Sequence, residues 1–578
     1  MGLKARHAAP LWVYPRINPS WTEEIVREFH IHPVSAQVLV SRGFISQDMI
    51  QEYLYSKLPD LLDPFLLSDM DKGVERICTA VDNGEKIVVY GDNDVDGMTG
   101  TALLTEFLQS IGANIAFHIP NRNELGQSMM SDAYKCAKDH QARLLITVDC
   151  GITATKEIER IASEGIDVIV TDHHEPTKKI PLCVATLNPK VYHNLYPNRD
   201  LTGVGVAFKL AHALTTHLVR TGRALKHQID LRSYLDLVAM GTIADMGALL
   251  KENRILVRYG LAELKTTGRI GLRKLAKVCD IKLDEITAVD VASKIAPRLN
   301  SLGRIAEPRK GVELLLIRDE ARAEELAQEL DLNNIQRQKI EQVMAEDVEA
   351  TLEAHPEILQ EKALVLASEK WHPGVVAILT TRLAKSYNRP TLLIAVDKGI
   401  GKGSMRTIPE FPLLPFLREQ ADLLLNFGGH DYAAGLTIAE DKIPLLKEKL
   451  LARANMTLKE QDVISKLMID AQVDFTELTF DLMESLALCE PHGNENPPPI
   501  LFCDARQVRP PRLVGGAHLK FYLEQKGRQL EGIGFGMGEL KSQLMRPNLN
   551  LRVAFTPQIN RFQNKTSIQL LIRDFKVL

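Results

Sequence analysis

Short apolar, β-branched runs separated by amphipathic stretches dominate the first half of the chain. Residues 86–90, 114–119, 144–148 and 167–171 read as strands, and 99–110, 130–139 and 156–164 as helices between them. Such alternation predicts βαβ units and a parallel sheet. Three of the four runs end in the same way. Lys86-Ile87-Val88-Val89-Tyr90 leads into Gly91-Asp92-Asn93-Asp94-Val95-Asp96-Gly97. Leu144-Leu145-Ile146-Thr147-Val148 leads into Asp149-Cys150-Gly151, and Asp167-Val168-Ile169-Val170-Thr171 into Asp172-His173-His174. Acid or imidazole after each strand describes one site at the carboxyl edge of the sheet, where ligands of open α/β sheets bind.

Helical patterning dominates 201–250, including an apolar run that ends at Asp245. The longest helical period, 319–354, lacks Gly and Pro, and Ile340, Met344, Val348 and Leu352 recur along it every four residues. A second α/β pattern follows, with strands at 363–367 and 391–395 and a helix over 375–386. Beyond the Pro- and Asn-rich break at 491–499, short alternating runs return at small-barrel spacing. The expected organisation is an N-terminal helical or mixed segment (1–75), a parallel-sheet α/β domain (76–315), a long connecting helix (316–356), a second α/β domain (357–460) and a C-terminal OB-type β-barrel (461–578).

Composition narrows the class. The chain is 45% hydrophobic and 25% charged, with seven scattered cysteines and no Cys-x-x-Cys pair. That excludes a disulfide framework and a cysteine zinc site. No apolar stretch approaches the roughly 20 residues needed to span a bilayer, and Met1-Gly2-Leu3-Lys4-Ala5-Arg6-His7 has no signal-peptide apolar core. A cytoplasmic protein without a membrane partner is expected. Net charge is −4, but residues 501–578 carry 13 basic against 5 acidic side chains, a net +8 that leaves −12 for the rest. A basic module on an acidic body points to a polyanionic substrate.

The candidate chemistry is hard-ligand metal chemistry. Asp92, Asp94 and Asp96 alternate, and with Asp149, Asp172, His173 and His174 they form an oxygen-rich set with imidazole that suits Mn²⁺ or Mg²⁺. The set exceeds the needs of one ion. Two ions sharing a carboxylate would use it, and such a pair stabilises the attacking and leaving oxygens of a phosphoryl displacement. Asp245, a charge ending an apolar helix, is a further candidate ligand, whereas Asp236 reads as structural. The Gly-rich segments 399–406 and 427–430 read as loops with exposed backbone N–H groups beside Ser404, Arg406 and His430, with Gly428 and Gly429 allowing close approach of phosphate. Arg298 and Arg304 are further phosphate candidates.

These motifs resemble the DHH phosphoesterase superfamily, and within it the exonucleases of single-stranded DNA. Asp92–Gly97, Val148–Gly151, Asp172-His173-His174 and Ile243-Ala244-Asp245 match its four motifs in order. Trp371–Val376, Gly403–Thr407 and Phe427–His430 resemble the DHH-associated domain, and Gly532–Gly538 an OB-type tail. The resemblance implies removal of nucleotides from 5′ ends of single-stranded DNA with two Mn²⁺ or Mg²⁺ ions, in DNA repair and recombination. It implies Asp92, Asp94, Asp149, His173 and Asp245 as metal ligands, with Asp96 and His174 beside them, and His430 from the second α/β domain, as catalytic groups. His430 and Arg406 would hold substrate phosphate, and Phe521, Tyr522 and Phe535 could stack on bases. A helicase and a single-strand-binding protein are the implied protein partners. The alternatives are a phosphodiesterase of short oligonucleotides or RNA, and a catalytically weakened DNA-binding relative. Asn93 replaces an aromatic residue usual in the first motif, Gly126-Gln127-Ser128 a usual Gly-Tyr-Gly, and Met246–Leu249 lack a proline common after the fourth.

Overall fold

The computed structural model describes residues 9–121, 129–192, 194–223, 229–562 and 565–578. Gly126-Gln127-Ser128 lie outside them. The described residues form two compact units, one of 55–338 with 491–497, the other of 1–54, 339–490 and 498–578. The expected N-terminal segment thus falls across both.

The first unit is built on a five-stranded, all-parallel sheet. Its strands are β1 (Lys86–Gly91), β2 (Asn114–His118), β3 (Leu144–Val148), β4 (Asp167–Thr171) and a short β5 (Ala185–Leu187), in the order β2-β1-β3-β4-β5. The strands are apolar throughout because both faces are covered. Ile87, Val89, Ile146 and Ile169 pack against α1 (Val95–Ser110) on one face. Val88, Tyr90, Leu145 and Val168 pack against α2 (Met129–Asp139) and α3 (Thr155–Ser163) on the other. Two further helices, α4 (Gly203–Arg220) and α5 (Leu235–Ala244), enlarge the first core. Every residue of α5 from Leu235 to Ile243 is buried, which accounts for its largely apolar sequence. Asp236 there accepts from Arg269 and Thr267, a structural role. The helix α6 (Ala296–Ile305) follows, then the 35-residue α7 (Glu320–Ala354).

Among the described residues the second unit holds a two-stranded parallel pairing of Leu11–Val13 with Lys466–Met468 and two large sheets. One has strands β6 (Leu364–Ser368), β7 (Thr391–Asp397), β8 (Ile400–Arg406), β9 (Leu424–His430) and β10 (Ala433–Ala439), ordered β9-β10-β8-β7-β6, with α8 (Pro373–Tyr387) packed on it. The other is a barrel of β11 (Leu501–Gln507), β13 (His518–Gln525), β14 (Arg528–Gly534), β15 (Asn550–Phe562) and β16 (Lys565–Val577), with β12 (Arg512–Val514) at its edge. Pairing runs β11-β15-β16-β14-β13 and closes back from β13 to β11, the five-stranded ring expected of an OB-type barrel. Val34 and Val38, from an N-terminal helix, join its core.

The glycine-rich segments 399–406 and 427–430 are strands, not the loops expected from sequence. Strand β8 lies between β7 and β10, so its backbone groups serve the ladders and do not cradle phosphate. Glycine is needed at 403 because a Cβ there would come within 2.8 Å of Leu436.

Candidate active site

The first acid run does not continue its strand. Asp94 caps α1, its carboxylate accepting from Gly97 N at 3.1 Å, and the helix begins at Val95, four residues before the expected start. Asp92 therefore lies in the turn and Asp96 in the first helical turn. Asp96 is buried, and its two oxygens accept from Gly203 N at 2.6 Å and Val204 N at 2.8 Å. A carboxylate on the N-terminus of α4 is favourable there.

Asp149 follows β3 with φ +61, a left-handed conformation rare outside glycine, and its N–H donates to the Thr171 carbonyl. Its side chain lies against Gly203, where an added Cβ would stand 2.5 Å from the Asp149 Cβ. Strained backbone of this kind clusters at working sites. Asp172 faces inward and organises its neighbours. One oxygen accepts from the N–H groups of His173 and His174 and from His174 Nδ1 at 2.7 Å, and the other from Ile152 N at 2.9 Å. It fixes the backbone of both histidines and the imidazole of His174. His173 Nε2 then reaches Asp149 at 3.1 Å, Asp245 at 3.5 Å and Asp96 at 3.8 Å.

Among the described residues, three triads of ligand atoms, each within 4.8 Å of one another, arise: Asp92-Asp94-Asp149, Asp149-His173-His174 and Asp96-His173-Asp245. Asp149 and His173 each belong to two. The donor set fits divalent cations on electrostatic grounds. Burial, then the charges of Asp245 and Asp94, hold Asp96 well above the usual carboxylate range, and burial with neighbouring acids, Asp96 foremost, does so for Asp149. Burial and then Asp94 push Asp245 up to about 7. Acids crowded like this ionise together only when a cation offsets their repulsion.

In the second unit, β-pairing gathers most of the expected phosphate residues on one face. His430 lies opposite Ala433, which lies opposite Arg406; one row away Gly428, Gly435 and Ser404 align. Directly paired residues, and residues two apart, share a face. The floor is shallow, since a Cβ on Gly428 would meet nothing within 4 Å and one on Gly435 only a contact at 3.9 Å. Arg406 donates to Ser404 Oγ at 3.2 Å, and His430 Nδ1 accepts from Tyr432 N at 3.4 Å. Gly429 faces the other way with φ +134.

Relatives settle the family. The DHH family N-terminal domain matches residues 86–242, the DHHA1 domain 360–460 and the RecJ OB domain 469–574. The chain is 35% identical over 570 residues to the single-stranded-DNA-specific exonuclease RecJ of Bacillus subtilis, covering 98% of this chain and 71% of that protein. It is 33% identical to its Escherichia coli counterpart, over 93% of this chain and 95% of that one. The chain belongs to the RecJ family. The crystal structure of RecJ in complex with Mn²⁺ from Thermus thermophilus superposes with a TM-score of 0.82 at 31% identity, over 98% of this chain and 79% of that one. The Mg²⁺ complex of RecJ from the same organism gives 0.76 at 28% identity, over 98% and 78%.

Within this RecJ-family site, helix α6 contacts the first acid turn. Arg298 is paired with Asp331 at 2.8 Å and donates to the Lys294 carbonyl at 2.8 Å. Arg304 is half-buried near the end of the same helix. Asn300 Oδ1 accepts from Val95 N at 3.1 Å, and the Gly303 carbonyl accepts from Asn93 Nδ2 at 3.3 Å. The unusual Asn93 thus ties the first acid turn to α6. On the barrel, Phe521 is core and not a stacking platform, whereas Tyr522 lies under Arg509 at 3.7 Å and Phe535 is 61% exposed.

The clustered acids make the metal-free chain pH-sensitive. A carboxyl raised from 3.8 to about 7, as for Asp245, keeps in the native state a proton that the unfolded chain releases. Stability therefore falls as pH rises through that interval. Asp172 and His174 do not mask this. Burial opposes both shifts, but their mutual bond outweighs it and holds Asp172 at about 2 and His174 at about 9. Asp172 stabilises fully above 3.8, and the His174 contribution is whole below 6.5 and lost through 9. Melting of the chelated protein between about pH 4 and 6.5 should show a temperature falling with pH, and excess Mn²⁺ should reverse the fall. An apoprotein curve flat across that window removes the electrostatic argument.

Proposed function

We propose that this chain is a divalent-metal-dependent exonuclease that removes mononucleotides from 5′ ends of single-stranded DNA. The observation that carries this is the set of overlapping triads, in which Asp149 and His173 are each shared by two. Asp92, Asp94, Asp149, His173 and Asp245 are the proposed ligands of two Mn²⁺ or Mg²⁺ ions, the metals of the Thermus thermophilus complexes. Bound there, the ions supply positive charge against the phosphoryl oxygens and acidify water.

The chain's own residues do the rest. Asp96 sets the depth of α4 against Asp149 through its two backbone hydrogen bonds. His174 has Nδ1 committed to Asp172, which leaves Nε2 as the atom proposed to give a proton to the leaving oxygen. Arg406, Ser404, His430 and the flat Gly428 floor suit a strand phosphate, with Gly429 shaping the edge. Arg298 contributes through α6, and Arg304 is the cation on that helix proposed to face phosphate. The basic barrel, with Tyr522 and Phe535, suits single-stranded DNA. A cytoplasmic setting, a helicase that exposes the strand and a single-strand-binding protein that coats it complete the reading.

The experiment uses 5′- and 3′-labelled single strands, duplex and RNA with Mn²⁺ or EDTA. Release of 5′ label as mononucleotide from single-stranded DNA is expected only with metal. Label released first from 3′ ends reverses the polarity, and preference for RNA or short oligonucleotides replaces the substrate.

A further inference from the structure

Asp245 sits at a helix end that closes through a left-handed residue other than glycine. It ends α5 with φ −80, and the next residue, Met246, has φ +57. A left-handed residue after a helix is ordinarily glycine, because a side chain is disfavoured there. The bonds that close the turn locally are Met246 N to the Ile243 carbonyl at 3.2 Å and Gly247 N to the Thr242 carbonyl at 2.9 Å. The group holding the Met246 carbonyl comes from 248 residues further on. Asn494 Nδ2 donates to that carbonyl at 2.7 Å. Leu249 N in turn donates to the Asn494 carbonyl at 3.0 Å. One residue therefore grips both ends of the segment 246–249 that follows the acid.

The turn that carries the gripping residue is closed by its own hydrogen bonds. Gly493 and Asn496 exchange backbone hydrogen bonds of 2.9 and 3.2 Å across the turn that carries Asn494. The buried Asn496 side chain donates to the Pro491 carbonyl at 2.8 Å. The turn also lies close on its target, since a Cβ on Gly493 would come within 2.6 Å of Leu249. Residues 491–497 pack with the parallel-sheet unit, while the chain before and after them belongs to the other unit. A plain tether needs only the Leu249 bond and the Gly493 contact. The side-chain amide adds a hydrogen bond at the carbonyl of the left-handed residue itself.

We propose that Asn494 is a positioning residue of the metal centre, holding Met246 left-handed so that the Asp245 carboxylate faces His173. The proposal rests on the metal-centre reading above. Mn²⁺ is titrated calorimetrically into the full-length apoprotein. Asn494→Ala weakens Mn²⁺ binding about tenfold, the loss expected for a group that orients a ligand, with the apoprotein melting temperature nearly unchanged. Asn494→Asp, of the same size but with an acceptor facing the carbonyl, gives the same loss. Adding Met246→Gly to Asn494→Ala restores affinity, because glycine takes the left-handed turn unaided. Wild-type affinity in both Asn494 variants, or no rescue by Met246→Gly, overturns the proposal and leaves the metal centre standing. Undiminished Mn²⁺ binding by Asp149→Ala overturns the metal centre itself, and this proposal with it.

Discussion

Asp149→Ala should lower the rate of nucleotide release by at least about 10³-fold, since several kcal/mol of charge stabilisation depends on the ions it helps hold. Asp149 is common to two ligand triads, and its backbone is held at φ +61. The substitution also removes one of the crowded acids, so the apoprotein should melt higher than the parent near neutral pH. Loss of activity together with gain of apoprotein stability is the signature of a ligand and not of a core residue. Single-strand binding, measured by fluorescence anisotropy in EDTA, should be close to the parent's. Turnover within tenfold of wild type would refute the assignment.

Gly203→Ala should be nearly as damaging without touching a ligand. The new methyl would stand 2.5 Å from the Asp149 Cβ and 2.7 Å from its Cγ. The same residue donates its N–H to Asp96 at 2.6 Å, so α4 cannot retreat without loosening that carboxylate. Overpacking of this kind costs about 1–3 kcal/mol, and displacement of a reacting group by about 1 Å costs on the order of 100-fold in rate. Gly205 is the internal control, because a Cβ there meets Leu201 at 3.2 Å and no acid. Gly205→Ala should retain far more activity than Gly203→Ala; equal effects at both positions would mean that the helix, and not Asp149, is what fails.

The strands of the parallel sheet and the acids that follow them are legible in sequence because their chemistry is local. A strand buried on both faces is an unbroken apolar run, and a charge placed directly after it has to be explained. The barrel is legible for a related reason: Leu519, Phe521 and Leu523 alternate with half-buried neighbours along β13. Gly401 and Gly403 mislead because glycine in a turn and glycine beneath a neighbouring Leu436 or Ile438 are written identically. Asp96 carries no sign that it caps a helix more than 100 residues away. Asn300 and Gly303 lie within a motif whose arginines draw the attention. A neutral amide or a backbone carbonyl acting on a turn some 200 residues distant leaves no periodicity to find.

The clasp at 491–497 bears on how this architecture can be taken apart. A chain cut after Glu490 loses the whole barrel, but it also loses Asn494, so its catalytic defect would mix two causes. A graft that exchanges the tail for another DNA-binding cassette meets the same difficulty unless the join falls after Pro497. The boundary that matters for swapping parts is therefore set by a hydrogen bond to Met246, not by where the barrel's first strand begins.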